Sequence, residues 1–394
     1  MSPIYLNELG IVCALGAGKP AVAEALFAVD APRGVTVSDA WTPGRPLALG
    51  ACVDALPDLT AWPPPWRSRN NALLLRALDD IRPAVDRAIA LHGPARIAVV
   101  LGTSTSGIAE GERAHREAAD SDAWPESFHY AQQELGMPAR FLARVLGTCG
   151  PAHVISTACS SSAKAIASGA RLLDAGLADA VIAGGADALC AFTIAGFEAL
   201  EAVSPTRCNP FSIHRRGINI GEGAAVFLMS RDPGPVRLAG AGESADAHHM
   251  SAPDPSGRGA ARAIAQALDR AGVSPRDIDY INLHGTGTAQ NDAMESAVVA
   301  ALFGGDVPCS STKPLTGHAL GAAGAIEAAL CWLALACNSA RRLPPHWWDG
   351  QADPALPPLR FAQPGEVARA PLRHALSQSF AFGGSNAALV FGAG

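Results

Sequence analysis

Cys159 stands in the run ISTACSSSAKA, positions 155–165, surrounded by small side chains. A free thiol is only a few per cent ionised near neutral pH, and the thiolate is the nucleophile. The run VISTACSSSAKA predicts strand, turn and helix, with Cys159 at the helix N-terminus, where the positive end of the helix dipole would favour ionised sulfur. The Ser and Ala residues are expected to clear room for a substrate, and they also suit a helix that approaches a sheet closely. His284 closes the strand-like run DYINLHG and is followed by GTGT. Those glycines allow close backbone approach, and Thr286 and Thr288 offer hydroxyls. Lys313 precedes His318 by five residues, and His318 stands at the start of the small-residue helix predicted for GHALGAAGAIEAAL. In SQSFAFGGSNAALVF, Gly383 and Gly384 follow Phe382 in a turn able to aim backbone N–H groups at a ligand. A thiol, two imidazoles, an ammonium and a glycine turn would supply a nucleophile and several hydrogen-bond donors if the fold brings them together.

The elements that would carry them alternate. Strand-like runs such as RIAVVLGTS, DAVIAGGA and AAVFLMS alternate with helical runs such as SSAKAIASGARLLDAG and GAARAIAQALDRAG, each closed by Gly. That order predicts an α/β architecture. A break at SRDPGPVR, 230–237, divides residues 1–235 from residues 236–394. The two parts echo each other three times in the same order: VVLGTSTSG with INLHGTGT, the helix near Cys159 with the helix near His318, and GEGAAVFLM with GGSNAALVF. An internal duplication is the expectation, with equivalent loops around one shared cleft.

Composition narrows the function. The 394 residues are 49% hydrophobic and 17% charged, enough apolar content for a large core. A formal charge of −6 argues against non-specific nucleic-acid binding. The longest apolar run, AIEAALCWLALAC at 325–337, contains Glu327 and is too short to span a bilayer. The N-terminus lacks a basic stretch ahead of its apolar residues and does not read as a signal peptide. Nine cysteines without a CxxC pair indicate neither a disulfide framework nor a zinc site, so a cytoplasmic protein is expected.

In order, TACSSS, HGTGT, Lys313 with GH at 317–318, and FAFGGSN at 380–386 resemble the β-ketoacyl-acyl-carrier-protein synthases, condensing enzymes of the thiolase-like fold. DAVIAGGAD and GESADAHHMSAPDP extend the resemblance over nearly the whole chain. It implies duplicated βαβαβαββ halves in an α-β-α-β-α layering, the first carrying the nucleophile and the second both histidines. It also implies a reaction: an acyl group moves from a carrier protein to Cys159, and malonyl on a second carrier loses CO₂ and attacks the acyl thioester. His284 and His318 would hold the malonyl carbonyl as neutral imidazoles, their division of labour left open. The N–H groups of Cys159 and Phe382 would form the oxyanion hole, with the Phe382 ring as a gate. Lys313 would be a supporting cation linked to Glu327. Thr286 and Thr288 match a pantetheine-contacting pair, and Phe380 and Glu327 join them in the substrate-binding set. Arg67, Arg69 and Arg207 fall where the resemblance implies carrier-protein docking.

No cofactor or metal is implied, since substrates ride on phosphopantetheine. The implied partners are acyl carrier protein and a second subunit, either an identical copy or a related ketosynthase-like chain. HRRGINIGEG carries Arg216 and Ile218 where housekeeping elongation enzymes usually have Asp and Phe, and FAFGGSN carries Ala381 and Ser385 for Gly and Thr. These departures are more similar to condensing enzymes of polyketide-type clusters, including those making aryl polyenes. A non-catalytic chain-length-factor-type subunit would lack the active cysteine. A thiolase would carry a second cysteine near the C-terminal glycine turn, and SFAFGGSNAALVFG has none. An initiating enzyme would show Cys-His-Asn rather than Cys-His-His.

Overall fold

The computed structural model describes residues 3–121 and 123–394. In chain order the strands are β1 (Tyr5–Cys13), β2 (Gly16–Ala17), β3 (Thr36–Ser38), β4 (Leu47–Leu49), β5 (Ile97–Gly102), β6 (Ala152–Ile155) and β7 (Ala180–Asp187). They continue with β8 (Gly223–Ser230), β9 (Val236–Ala245), β10 (Tyr280–Asn282), β11 (Cys309–Ser310), β12 (His374–Ala381) and β13 (Ser385–Ala393). β3 and β4 pair separately, and β2 folds back on β1. The others form one sheet in the order β11-β10-β12-β13-β9-β1-β8-β7-β5-β6.

Read outward from its centre, that order repeats. On one side β1–β8 and β8–β7 are antiparallel, then β7–β5 and β5–β6 are parallel. On the other, β9–β13 and β13–β12 are antiparallel, then β12–β10 and β10–β11 are parallel. The strand pairs Tyr5↔Arg237 and Leu6↔Val236 join the two sides. The three sequence echoes fall on equivalent elements of these halves, so the expected duplication is present.

Alternation along the strands builds the layers. In β5 and β7, Ala98, Val100, Val181 and Ala183 face a core shared with the helices Ser161–Asp174 and Ala323–Ala336. Ile97, Val99, Leu101 and Ile182 face the helices Arg69–Asp79 and Met137–Leu146. In the second half, Ala375, Ala387 and Leu389 join the central core. Leu376, Ala388 and Val390 pack instead on the helices Arg258–Ala271 and Ala289–Phe303. Three helical layers therefore enclose the two halves of the sheet, as expected of the thiolase-like fold, and parallel strands buried on both faces read as continuous apolar runs. Every residue from Ala323 to Ala334 is buried, so the longest apolar run is the central layer. Among the described residues no helix is long and apolar enough to cross a membrane.

The small residues after Cys159 serve this packing. A Cβ on Gly102 would lie 2.3 Å from the backbone nitrogen of Ser162, and one on Gly324 would lie 2.9 Å from Cβ of Ala163. The helix Ser161–Asp174 thus touches β5 and the helix Ala323–Ala336 at backbone distance. Larger side chains at 160–163 would push these layers apart.

Candidate active site

Cys159 sits in the turn between β6 and the helix Ser161–Asp174, just ahead of its N-cap Ser160. Ala158 adopts φ 51°, a left-handed conformation that costs energy for a residue with a Cβ. The turn is held by Thr157 N donating to Ser161 Oγ at 2.8 Å and by Ser161 Oγ donating to the Ala158 carbonyl at 2.6 Å. Of residues 159–163, Cys159 lines a cavity of about 470 Å³ while Ser160, Ser161, Ser162 and Ala163 do not. Close packing is therefore one role of the small residues at 160–163.

His318 lies 3.0 Å from the thiol, Nε2 to Sγ. It does not start a helix as expected. Its backbone N–H donates to the Asn219 carbonyl at 2.7 Å and its carbonyl accepts from Gly221 N at 2.9 Å, bridging it to the Gly-rich segment before β8. The helix begins five residues later, at Ala323, because Leu320–Ala322 first form a 3₁₀ turn. His284, two residues beyond β10, meets His318 edge-on at 5.5 Å between ring centroids.

Lys313 lies against His284, buried, and its ammonium has three protein partners: the His284 carbonyl, His284 Nδ1 at 3.3 Å, and Glu327. An ammonium only donates, so Nδ1 of His284 must accept and its proton resides on Nε2. His318 has no equivalent lock, since its Nδ1 has no partner among the described residues.

Two carboxylates that the motif reading missed shape the histidine loop. Glu295 accepts from His284 N at 2.6 Å and Gly285 N at 2.7 Å, and Asp292 accepts from Gly287 N at 3.2 Å and Phe211 N at 2.7 Å. Burial pushes Glu295 up to about 8 and Asp292 up to about 6. The signal was available: NDAMES follows GTGT after two residues, and acids three apart share one helix face. Asp187, at the end of β7, plays a similar part in the first half, accepting from Thr103 Oγ1, Thr105 N and Ala322 N.

Electrostatics correct the expected thiolate. Burial pushes the Cys159 thiol up to about 11, against the opposing pull of Lys313 and the Phe382 N–H. Burial, reinforced by Lys313, holds both imidazoles well below the ordinary histidine range. The resting pair is therefore a neutral thiol facing a neutral imidazole, because loss of hydration outweighs the helix dipole. The thiolate absorbance that distinguishes the native protein from a Cys159→Ala variant is expected only above about pH 9. A midpoint near neutrality would mean resting sulfur is ionised.

Cys159, His284 and His318 open onto one cavity of about 470 Å³, which Thr286, Thr288, Phe380 and Phe382 also line. Phe382 packs 5.6 Å from Phe197. Lys313 and Glu327 lie outside the cavity, so Glu327 is a partner of Lys313 and not a substrate contact. The sulfur and ring nitrogens of the triad lie within 4.8 Å of one another, a spacing that would suit a metal ion. The ammonium directly behind His284 opposes a second cation there.

The three arginines expected at a docking surface are half-buried, and each makes contacts within the chain. Arg69 forms a paired contact with the fully buried Glu222, Nε to Oε2 at 2.8 Å and Nη2 to Oε1 at 2.5 Å. Arg67 Nε donates to the Trp62 carbonyl. Arg207 donates to the carbonyls of Val35, Arg33 and Pro314. Arg69 and Arg207 thus commit several N–H groups to oxygens of the chain, whereas the Arg67 contact uses Nε alone.

The chain matches the family models "Beta-ketoacyl synthase, N-terminal domain" over residues 81–233 and "Beta-ketoacyl synthase, C-terminal domain" over residues 236–345. It is 34% identical to a Streptomyces cyaneus protein whose assigned name is polyketide beta-ketoacyl synthase 1, covering 98% of this chain and 97% of that one. It is also 34% identical to 3-oxoacyl-[acyl-carrier-protein] synthase 2 of Staphylococcus aureus, over 75% of this chain and 77% of the relative. Among solved structures, the ketosynthase ApeO of Xenorhabdus doucetiae, in complex with its chain length factor ApeC, superposes with a TM-score of 0.92. Its sequence identity is 48%, over 100% of this chain and 98% of that chain. Ordered motifs, duplicated sheet, triad geometry and full-length similarity agree: the chain belongs to the β-ketoacyl synthase family.

Proposed function

We propose that this chain is the catalytic ketosynthase of a heterodimer with a chain-length-factor-type subunit, elongating a polyketide-type acyl chain held on acyl carrier protein. The observation that carries this reading is the Cys159–His318 contact with His284 beside it, all three on the floor of one cavity. The relative ApeO, solved with its chain length factor, supports the heterodimer. The free state of all nine cysteines accords with a reducing cytoplasm, where we place the reaction.

In the first half-reaction Cys159 Sγ attacks the carrier's acyl thioester as its proton passes to His318 Nε2. The N–H groups of Cys159 and Phe382 receive the oxyanion. The pantetheine sulfur leaves and takes the proton from His318. In the second, malonyl on another carrier loses CO₂ while His284 Nε2–H donates to the forming enolate oxygen. Its carbon attacks the acyl–Cys159 carbonyl, the new carbon–carbon bond forms, and the departing cysteine sulfur recovers a proton from water. Lys313 keeps His284 in the donating tautomer. His318, unlocked, accepts a proton first. No cofactor enters either half-reaction.

Intact mass after incubation with a panel of acylated carrier proteins tests the reading. One acyl group is expected to load, at Cys159, with aromatic or polyunsaturated chains preferred over short saturated ones, in keeping with Phe197 and Phe382 along the cavity. Preference for short saturated chains would sink the aryl-polyene assignment, and no loading from any carrier would sink the function.

A further inference from the structure

We propose that Arg216 anchors the phosphodiester of the carrier's phosphopantetheine arm at the mouth of the Cys159 cavity. The inference rests on the reading that substrates arrive on carrier proteins. Arg215 and Arg216 are neighbours in sequence and both line the cavity, yet their environments differ. Arg215 is largely buried, pairing with Asp353 at 2.6 Å and donating to the Ser212 carbonyl. Arg216 is exposed and makes no ion pair or hydrogen bond among the described residues. It also lines an adjoining cavity of about 550 Å³ walled by Trp347 and Trp348, so it stands on the ridge between two concave surfaces.

The backbone fixes where that charge sits relative to the arm. Gly217 N donates to the Gly287 carbonyl at 2.8 Å, joining the Arg216 segment to the loop that carries Thr286 and Thr288. Those hydroxyls lie 2.8 Å apart and line the cavity. A phosphopantetheine arm has its thioester at one end and its anionic phosphate at the end joined to the carrier. When the thioester reaches Cys159 on the floor, the phosphate must remain at the rim, and there the guanidinium is unpaired. Guanidinium binds phosphate through paired charge-assisted hydrogen bonds. Glu201 lines the same cavity and repels an anion. With the chain at −6 overall, attraction for a phosphate at this rim depends on Arg216.

The test compares two malonyl thioesters on the enzyme purified with its partner subunit: malonyl-carrier protein, and malonyl-N-acetylcysteamine, which keeps the carboxylate and lacks the phosphate. Arg216→Ala is expected to raise KM for the carrier substrate about tenfold with kcat held, and KM for the truncated substrate by less than about twofold. Arg216→Lys should recover part of the loss, since it restores charge without the paired geometry. Equal losses on both substrates, or none, would overturn the anchor. Native protein that turns over neither thioester would overturn the carrier reading itself.

Discussion

Cys159→Ala is expected to remove acyl loading completely and to lower condensation by a factor on the order of 10⁵ or more, the scale set by losing a covalent nucleophile. The substitution deletes one buried sulfur and leaves His284, Lys313 and the Phe382 turn with their other contacts, so the loss should be chemical and not structural. Two measurements separate these possibilities. The thermal midpoint should move little, because Ala is well tolerated in a turn already built from small residues. Intact mass should show no acyl adduct from any carrier. Cys159→Gln goes further, placing a neutral amide where the acyl thioester would lie. His284 still presents its Nε2–H to a malonyl carbonyl in that variant, so CO₂ should be released from malonyl-carrier without condensation. Condensation by Cys159→Ala at the native rate would end the assignment of this sulfur as the nucleophile.

Much of this arrangement was legible in the sequence because short motifs encode short-range geometry. The Gly/Thr turns after VVLGTS and INLHG mark β5 and β10, and GEGAAVFLM and GGSNAALVF mark β8 and β13. A duplicated order of such segments is visible without coordinates. What stayed hidden depends on groups distant along the chain. Ionisation of Cys159 is decided by how much water the fold removes, and strand–turn–helix reasoning supplied only the opposing dipole. Arg69 looks solvated until Glu222, 153 positions away, reaches it. Arg207 looks exposed until the carbonyls of Val35 and Pro314 close around it. The close packing of the serines beside Cys159 shows only once Gly102 is found against Ser162. In each case residue type was read correctly and its partner was missing.

Lys313 is the second place where a single change should be costly, and here stability and catalysis can be separated. Its ammonium is buried against Glu327, and the other oxygen of that carboxylate already lacks a partner among the described residues. Lys313→Met therefore leaves a carboxylate with no countercharge in a dry site, a loss of about 3–5 kcal/mol by the usual cost of breaking a buried pair. The same change removes the donor that fixes His284, so the ring can place its proton on Nδ1 and present a lone pair to the enolate. A fall in kcat of about 10²–10³ is expected, with KM little altered, since the lost hydrogen bond strengthens only as charge develops. Lys313→Met combined with Glu327→Leu replaces the pair by apolar groups of similar volume. That double variant should regain most of the chemical-denaturation midpoint while its kcat stays at the level of Lys313→Met. Recovery of both would mean that Lys313 serves only the fold. Recovery of stability alone would identify it as the residue that sets the tautomer of His284.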